Sequence, residues 1–101
     1  TDHLQIPPDG VYAVEVLVEG KSHPGVANLG IRPTVDQTRT RLLEIHLFDF
    51  EGDLYGREVE VRLKHFLRPE QRFDSIDLLK IQIARDAEAA REFLANSSAA
   101  A

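Results

Sequence analysis

The 101-residue chain contains no cysteine and no methionine. Without cysteine there is no disulfide, no thiolate nucleophile and no sulfur-ligated metal, which suits a reducing, cytoplasmic setting. Without methionine there is no natural start residue, and the polar opening Thr1–Gly10 does not read as one. We expect a piece of a longer protein. No apolar run approaches membrane-spanning length, and no basic start leads into an apolar stretch as in a signal peptide. Excess positive charge is also missing. Twelve Lys and Arg stand against 17 Asp and Glu, a formal net charge of −5, which argues against nucleic acid or an anionic membrane as the main partner. What is present is a globular balance, 43% hydrophobic and 29% charged, in a length that suits one domain with one core.

The chain reads as strands followed by a helix. Pro7-Pro8-Asp9-Gly10 is a turn. In Val11–Glu19, Tyr12, Val14, Val16 and Val18 alternate with Ala13, Glu15, Leu17 and Glu19, the period of a strand. Gly20-Lys21-Ser22-His23 reads as a hairpin turn, Val26–Ile31 as a short apolar strand and Asp36–Thr40 as a loop. Leu42–Phe50 is a third strand, with Leu43, Ile45 and Leu47 on one face and Glu44, His46 and Phe48 on the other. Glu58–Lys64 alternates most cleanly, as a half-solvated antiparallel strand does. Asp74 and Ser75 are helix N-caps. Beyond them Ile76, Leu79, Ile83, Ala87, Ala90 and Leu94 recur at spacings of three and four, an amphipathic helix of roughly five turns. The organisation expected is an approach and turn over 1–10, a β unit over 11–73, a helix over 74–95 and a tail over 96–101. Such an order suggests a mainly β fold, a small antiparallel sheet or barrel capped by one helix.

Three motif-like stretches carry no chemistry. Gly20-Lys21-Ser22 resembles the end of a phosphate-binding loop, but Glu15 stands where that motif needs glycine, and a strand follows instead of a helix. Asp49-Phe50-Glu51-Gly52-Asp53 resembles a calcium loop with its glycine two places early. His3, His23, His46 and His65 lack metal-ligand spacing and read as structural imidazoles.

Several segments taken in order go further. They are Pro7-Pro8-Asp9-Gly10-Val11-Tyr12, Gly25–Thr34 (Gly-Val-Ala-Asn-Leu-Gly-Ile-Arg-Pro-Thr), Leu43–Phe50 (Leu-Glu-Ile-His-Leu-Phe-Asp-Phe), Asp53-Leu54-Tyr55-Gly56 and Phe66-Leu67-Arg68-Pro69-Glu70. Phe73-Asp74-Ser75 with Leu78 and Leu79, and Gln82 before Asp86, complete the set. Together they resemble the riboflavin kinase family, in the form of the C-terminal module of bacterial riboflavin kinase/FAD synthetases. The resemblance spans Pro7 to Leu94. It implies a six-stranded Greek-key barrel with a C-terminal helix, and the reaction ATP + riboflavin → ADP + FMN with Mg²⁺ or Zn²⁺ beside the phosphates. It further implies an FMN adenylyltransferase domain in the parent chain and a cytoplasmic location, with no nucleic acid or membrane as partner.

Carried onto this sequence, Glu44 matches the catalytic carboxylate. Turned into a cleft and partly buried, it would gain basicity toward an alcohol; read alone, it is an exposed strand glutamate. Leu47, Asp49 and Tyr55 match ATP contacts, Asp49 with a different side chain in relatives. Alone, Tyr55 is an aromatic on a rim. Arg68, Gln71 and Phe73 match a segment that closes over the flavin. Alone, they form a helix-entry loop with Phe73 as a hydrophobic staple. Asn28 and Thr34 read as barrel architecture and a flavin-side wall. The family's Gly-x-Pro-Thr-Ala-Asn signature, which helps hold metal and phosphates, is absent from these 101 residues. From that absence we expect a missing first strand, weak catalysis by this chain alone and residual flavin affinity. The contrasting reading is a non-catalytic small β-barrel interaction domain.

Overall fold

The computed structural model describes residues 7–33, 39–54 and 56–99. Four strands and one helix follow in order: β1 (Gly10–Val18), β2 (Lys21–Pro33), β3 (Arg39–Leu47), β4 (Glu60–Pro69) and α1 (Ile76–Ala99). The strands form one antiparallel sheet in the order β3-β2-β1-β4. Three hairpin-linked strands with the fourth returning beside the first make a Greek key. The expected barrel is not closed by these strands: β3 and β4 lie at opposite edges with no ladder between them. A sheet of four strands has too little accumulated twist to bring its edges together, and small Greek-key barrels use about five or more.

The first hairpin is tighter than the sequence suggested. Glu19 and Gly20 have φ of 51° and 82°, the paired left-handed conformation of a two-residue turn that matches strand twist. Pairing therefore begins at once with Val18 opposite Lys21. Lys21, Ser22 and His23 are strand, not turn, and β2 runs 13 residues. Counted from that closing pair, Pro24 opposite Glu15 occupies a non-hydrogen-bonded position, so its missing N–H costs β1 nothing. Its carbonyl accepts from the Phe48 amide at 2.9 Å.

The other boundaries shift for readable reasons. Strand β3 begins at Arg39 and ends at Leu47, so Arg39 and Thr40 pair with Pro33 and Arg32 instead of forming a loop. Residues 36–38 lie outside the described residues. Strand β4 continues to Pro69 because its register against β1 slips twice, between Val11 and Tyr12 and between Ala13 and Val14. Each slip inserts one β4 residue, and the period of two that marks the strand is lost beyond Lys64. Helix α1 starts after Ser75, whose Oγ accepts from the Leu78 amide at 3.2 Å as an N-cap. It extends to Ala99, through the stretch expected to be a tail, because no Gly or Pro interrupts it.

Strand β1 is buried on both faces. Away from the helix, Tyr12, Val14, Val16, Val18 and Ala27 form one cluster, with Leu29, Leu47, Leu54, Val61 and Leu63 packed on it. Toward the helix, Ala13 and Phe48 meet Ala90 and Leu94, flanked by Val26, Leu67, Ala87 and Phe93. The apolar stripe of α1 thus divides. Its C-terminal half closes this second cluster, whereas Ile76 and Ile83 in the N-terminal half remain 70% and 53% exposed. Among the described residues no helix is long and apolar enough to cross a membrane.

The turn before β1 is tied to the sheet from two sides. Tyr12 donates its hydroxyl to the Pro8 carbonyl at 2.6 Å, and Arg41 Nε donates to Asp9 at 2.9 Å. Gly10 admits no side chain here, because a Cβ would run into the Arg68 backbone carbonyl and the Phe66 ring. Burial raises the Tyr12 pKa above its ordinary value; Asp9 adds to the rise and Arg41 opposes it. The folded state thus keeps this proton to higher pH than the unfolded chain. The stabilisation is complete below the free phenol value of about 10 and is lost as pH rises through the folded pKa. Thermal melts from about pH 8 to about pH 11 should show this alkaline decline, shallower in Tyr12→Phe. An identical slope in the variant would mean that Tyr12 is not its source.

Candidate functional site

The division of the helix stripe creates a cleft of about 790 Å³, within the range of small-molecule sites. Its floor is the helix-side face of the sheet, where β1, β2 and β3 contribute Val11, Asn28, Glu44 and His46. Its roof is the connection after β4, with Gln71 and Phe73, and the first turns of α1, with Ile76, Leu79 and Ile83. Strand register brings the floor together: Val11 pairs with Asn28, and Asn28 with Glu44. Alternation along β3 puts His46 on the same face as Glu44.

Four of the residues matched to catalysis or flavin contact in sequence, Glu44, Arg68, Gln71 and Phe73, line this one cleft, together with Asn28, read there as a flavin-side wall. Glu44 is exposed, not partly buried as expected. Arg68 lies at the end of β4 with its guanidinium carbon 5.8 Å from the centre of the Phe73 ring. Phe73 is half-buried beside it. The buried Asn28 Oδ1 has no hydrogen-bond partner, so this position in the floor is not fully satisfied by the fold.

The nucleotide-side candidates do not join them. Leu47 ends β3 and packs on the Val14–Val16 cluster of the opposite face. Asp49 is beyond the strand, contrary to the sequence reading, in a turn where its φ is 52°. Its carboxylate accepts from Arg91 at 3.1 Å, and the Arg91 guanidinium lies 4.2 Å from the Phe48 ring centre. Tyr55 and Thr34 lie outside the described residues.

Sequence reasoning gave His46 only a structural role, yet it lines the cleft. It also passed over the role of Asp86, whose buried carboxylate pairs with Arg68. A signal for Asp86 was available. An acidic residue at a helix position directly preceding Ala87 and Ala90 on the buried side needs a cation, and Arg68 closes the neighbouring strand.

The charge of the cleft is uneven. Glu44, Glu70, Asp74 and Asp86 line it, against Arg68 as the one Arg or Lys among the described lining residues. That lining suits an uncharged planar ligand held by an apolar wall better than a free polyanion. A second hollow of about 360 Å³, beside His23, Phe50 and Arg57, lies at the other end of β1, near Val18. Among the described residues no group of three or more His, Asp or Glu is arranged to hold a metal ion.

Fold and cleft together define a Greek-key β module with a helix-backed cleft of small-molecule size. The riboflavin kinase (Flavokinase) family model matches residues 1–94, and the chain belongs to that family. It is 59% identical over 88 residues to the bifunctional riboflavin kinase/FMN adenylyltransferase of Escherichia coli K12, covering 86% of this chain and 28% of that protein. The protein of the same description from Pseudomonas fluorescens is 49% identical over 94 residues, 93% of this chain and 30% of that one. An RNA-binding riboflavin kinase from Bacillus subtilis is 44% identical over 78 residues, 77% of this chain and 34% of that one. The chain thus spans about a third or less of the curated relatives it matches. A crystal structure described as a macrolide-efflux protein from Streptococcus pneumoniae superposes with a TM-score of 0.75 at 34% identity, over 86% of this chain and 28% of that chain.

The turn after β3 yields a stability test. Arg91→Ala removes a cation–π contact and should cost about 1 kcal/mol in urea unfolding. Asp49→Asn keeps a residue that tolerates positive φ and removes only an exposed ion pair, so its cost should stay below about 0.5 kcal/mol. Equal losses in the two variants would mean that the ion pair, not the ring contact, holds the turn.

Proposed function

We propose that this chain is the riboflavin-binding kinase module of a riboflavin kinase, with the cleft as the site of the phosphoryl acceptor riboflavin. The observation that carries the reading is the convergence of Glu44 with Arg68, Gln71 and Phe73 on one cleft. These side chains come from β3, the end of β4 and the β4–α1 connection, and a plain interaction module has no reason to collect them. In this reading the isoalloxazine ring lies against Phe73 and the apolar side chains of α1, and the ribityl chain runs along the sheet floor toward Glu44.

In the reaction, the terminal ribityl oxygen forms a bond to the γ-phosphorus of ATP while the bond from that phosphorus to the ADP oxygen breaks. The hydroxyl proton passes to the Glu44 carboxylate, which serves as general base. Phosphoryl transfer depends mainly on positioning and charge neutralisation, so the base is one contribution among several. Glu44 acts here as an accessible carboxylate close to the substrate.

We carry the nucleotide contacts to Leu47, at the end of β3, to Asp49 in the turn just beyond it, and to Tyr55 on the family resemblance alone. Leu47 lies three residues along β3 from Glu44, about 10 Å. Mg²⁺ or Zn²⁺ accompanies ATP in the family. Among the described residues none are grouped to hold that ion. We further infer that the four strands belong to a closed barrel in the complete protein and that turnover needs phosphate ligands beyond these 101 residues, as in a cytoplasmic bifunctional protein with an FMN adenylyltransferase domain. On that account the 101-residue chain retains flavin affinity and makes FMN poorly.

Two measurements on the complete natural polypeptide test the assignment. Glu44→Gln should lower the turnover of riboflavin to FMN by about 10²- to 10⁴-fold with substrate binding largely kept; parental turnover would refute the base. Arg68→Ala and Phe73→Ala should each weaken riboflavin binding, read by quenching of flavin fluorescence, more than they raise the KM for ATP. The reverse order would remove these residues from the flavin site.

A further inference from the structure

The cation of the cleft is already engaged. Arg68 Nε donates to Asp86 Oδ1 at 2.9 Å and Nη2 to Oδ2 at 2.7 Å, a bidentate pair. Nη1 donates to the Pro69 carbonyl at 3.0 Å. Three of the five guanidinium N–H groups are therefore spoken for, and one remains on each Nη. On the other side, Gln82 Nε2, one helical turn earlier, donates to Asp86 Oδ1 at 3.0 Å. Asp86 is 7% exposed, the only buried charged residue among those described.

This arrangement is expensive as a stability device. Desolvating a carboxylate and a guanidinium offsets most of their attraction, and apolar residues of similar size usually do as well. The pair does provide direction. It fixes a planar group at the junction of β4, the 70–75 connection and α1, with Phe73 beside it. It also cancels the Arg68 charge, leaving two N–H donors and a weakly hydrated face. Those features suit a carbonyl oxygen of a neutral ring rather than a phosphate.

We propose that Asp86, steadied by Gln82, is a positioning residue for riboflavin. It acts through Arg68, holding the guanidinium so that its remaining donors and the Phe73 ring receive the flavin ring, and it directs Arg68 away from phosphate. The proposal rests on the riboflavin reading of the cleft.

The test is a double-mutant cycle in the complete natural polypeptide, with riboflavin Kd from fluorescence quenching and the KM for ATP from FMN formation. Asp86→Asn should raise the riboflavin Kd about tenfold and change the ATP KM less than about threefold, the loss of one charge-assisted hydrogen bond. In an Arg68→Ala background the same exchange should add almost nothing, because its effect passes through the missing side chain. An unchanged Kd in Asp86→Asn, an additive effect in the double variant, or an equal rise in the ATP KM each overturns the proposal. If Asp86→Asn fails to fold, Gln82→Ala decides. It should raise the riboflavin Kd about threefold, again only when Arg68 is present, and no change refutes the role. A parent protein that does not bind riboflavin overturns the functional reading and this proposal together. A parent that binds it while Asp86→Asn binds equally well overturns this proposal alone.

Discussion

The ion pair of Arg68 with Asp86 joins three parts of the molecule that have little else in common. The C-terminal half of α1 is held to the sheet by Ala90 and Leu94 against Ala13 and Phe48. Its N-terminal half lacks such a seat, and Ile76 and Ile83 are largely exposed. Between the two halves, Asp86 grips the end of β4 with both carboxylate oxygens. The helix therefore rises from the sheet at a defined place, and the gap beneath its first turns is the cleft. Seated on the sheet along its whole length, the helix would bury more apolar surface and leave no site.

The central strand makes this arrangement stable enough to tolerate a gap. With neighbours on both edges and clusters on both faces, β1 contributes Val14 and Val16 at 0% and 1% exposure. Loss of the contacts under half a helix is affordable when the main core lies on the other face. The two faces thus divide the tasks. One is filled with alternating valines and carries stability. The other places Val11, Asn28 and Glu44 in register across three strands and carries the polar groups of the cleft.

How much of this could be read in the sequence follows from where periodicity holds. The strand of Tyr12, Val14, Val16 and Val18 and the cap at Ser75 were legible, since each is a local pattern with one physical meaning. The far half of β4 was not. Leu67 and Lys64 are the residues skipped when its register slips, and a skipped residue breaks the alternation by which a strand is recognised. The start of β2 was hidden because Gly20-Lys21-Ser22 has turn-like composition, while the turn itself is made by Glu19 with Gly20. For the cleft, family motifs singled out Glu44, Arg68, Gln71 and Phe73, and nothing local to any one of them revealed that they converge. Asp86 was named in the motif set, but its pairing was not legible, because a buried charge is defined by its partner and that partner is 18 residues away.

The exposure of Glu44 constrains the chemistry. A carboxylate open to water is a weak base toward an alcohol, so burial is the usual device for raising its strength. Here the floor leaves it accessible, and in the proposed riboflavin reading the bound ring would supply the desolvation. A planar ring seated beneath Ile76, Leu79 and Ile83 would displace water from the floor next to Glu44 as it binds. That makes the exposed apolar half of α1 more than a wall. In that reading one binding event would cover these apolar side chains and exclude water from the surroundings of the carboxylate. Coupling of this kind links binding energy at the ring to the reacting hydroxyl at the far end of the substrate, which is how a remote group contributes to the rate of a positioned transfer.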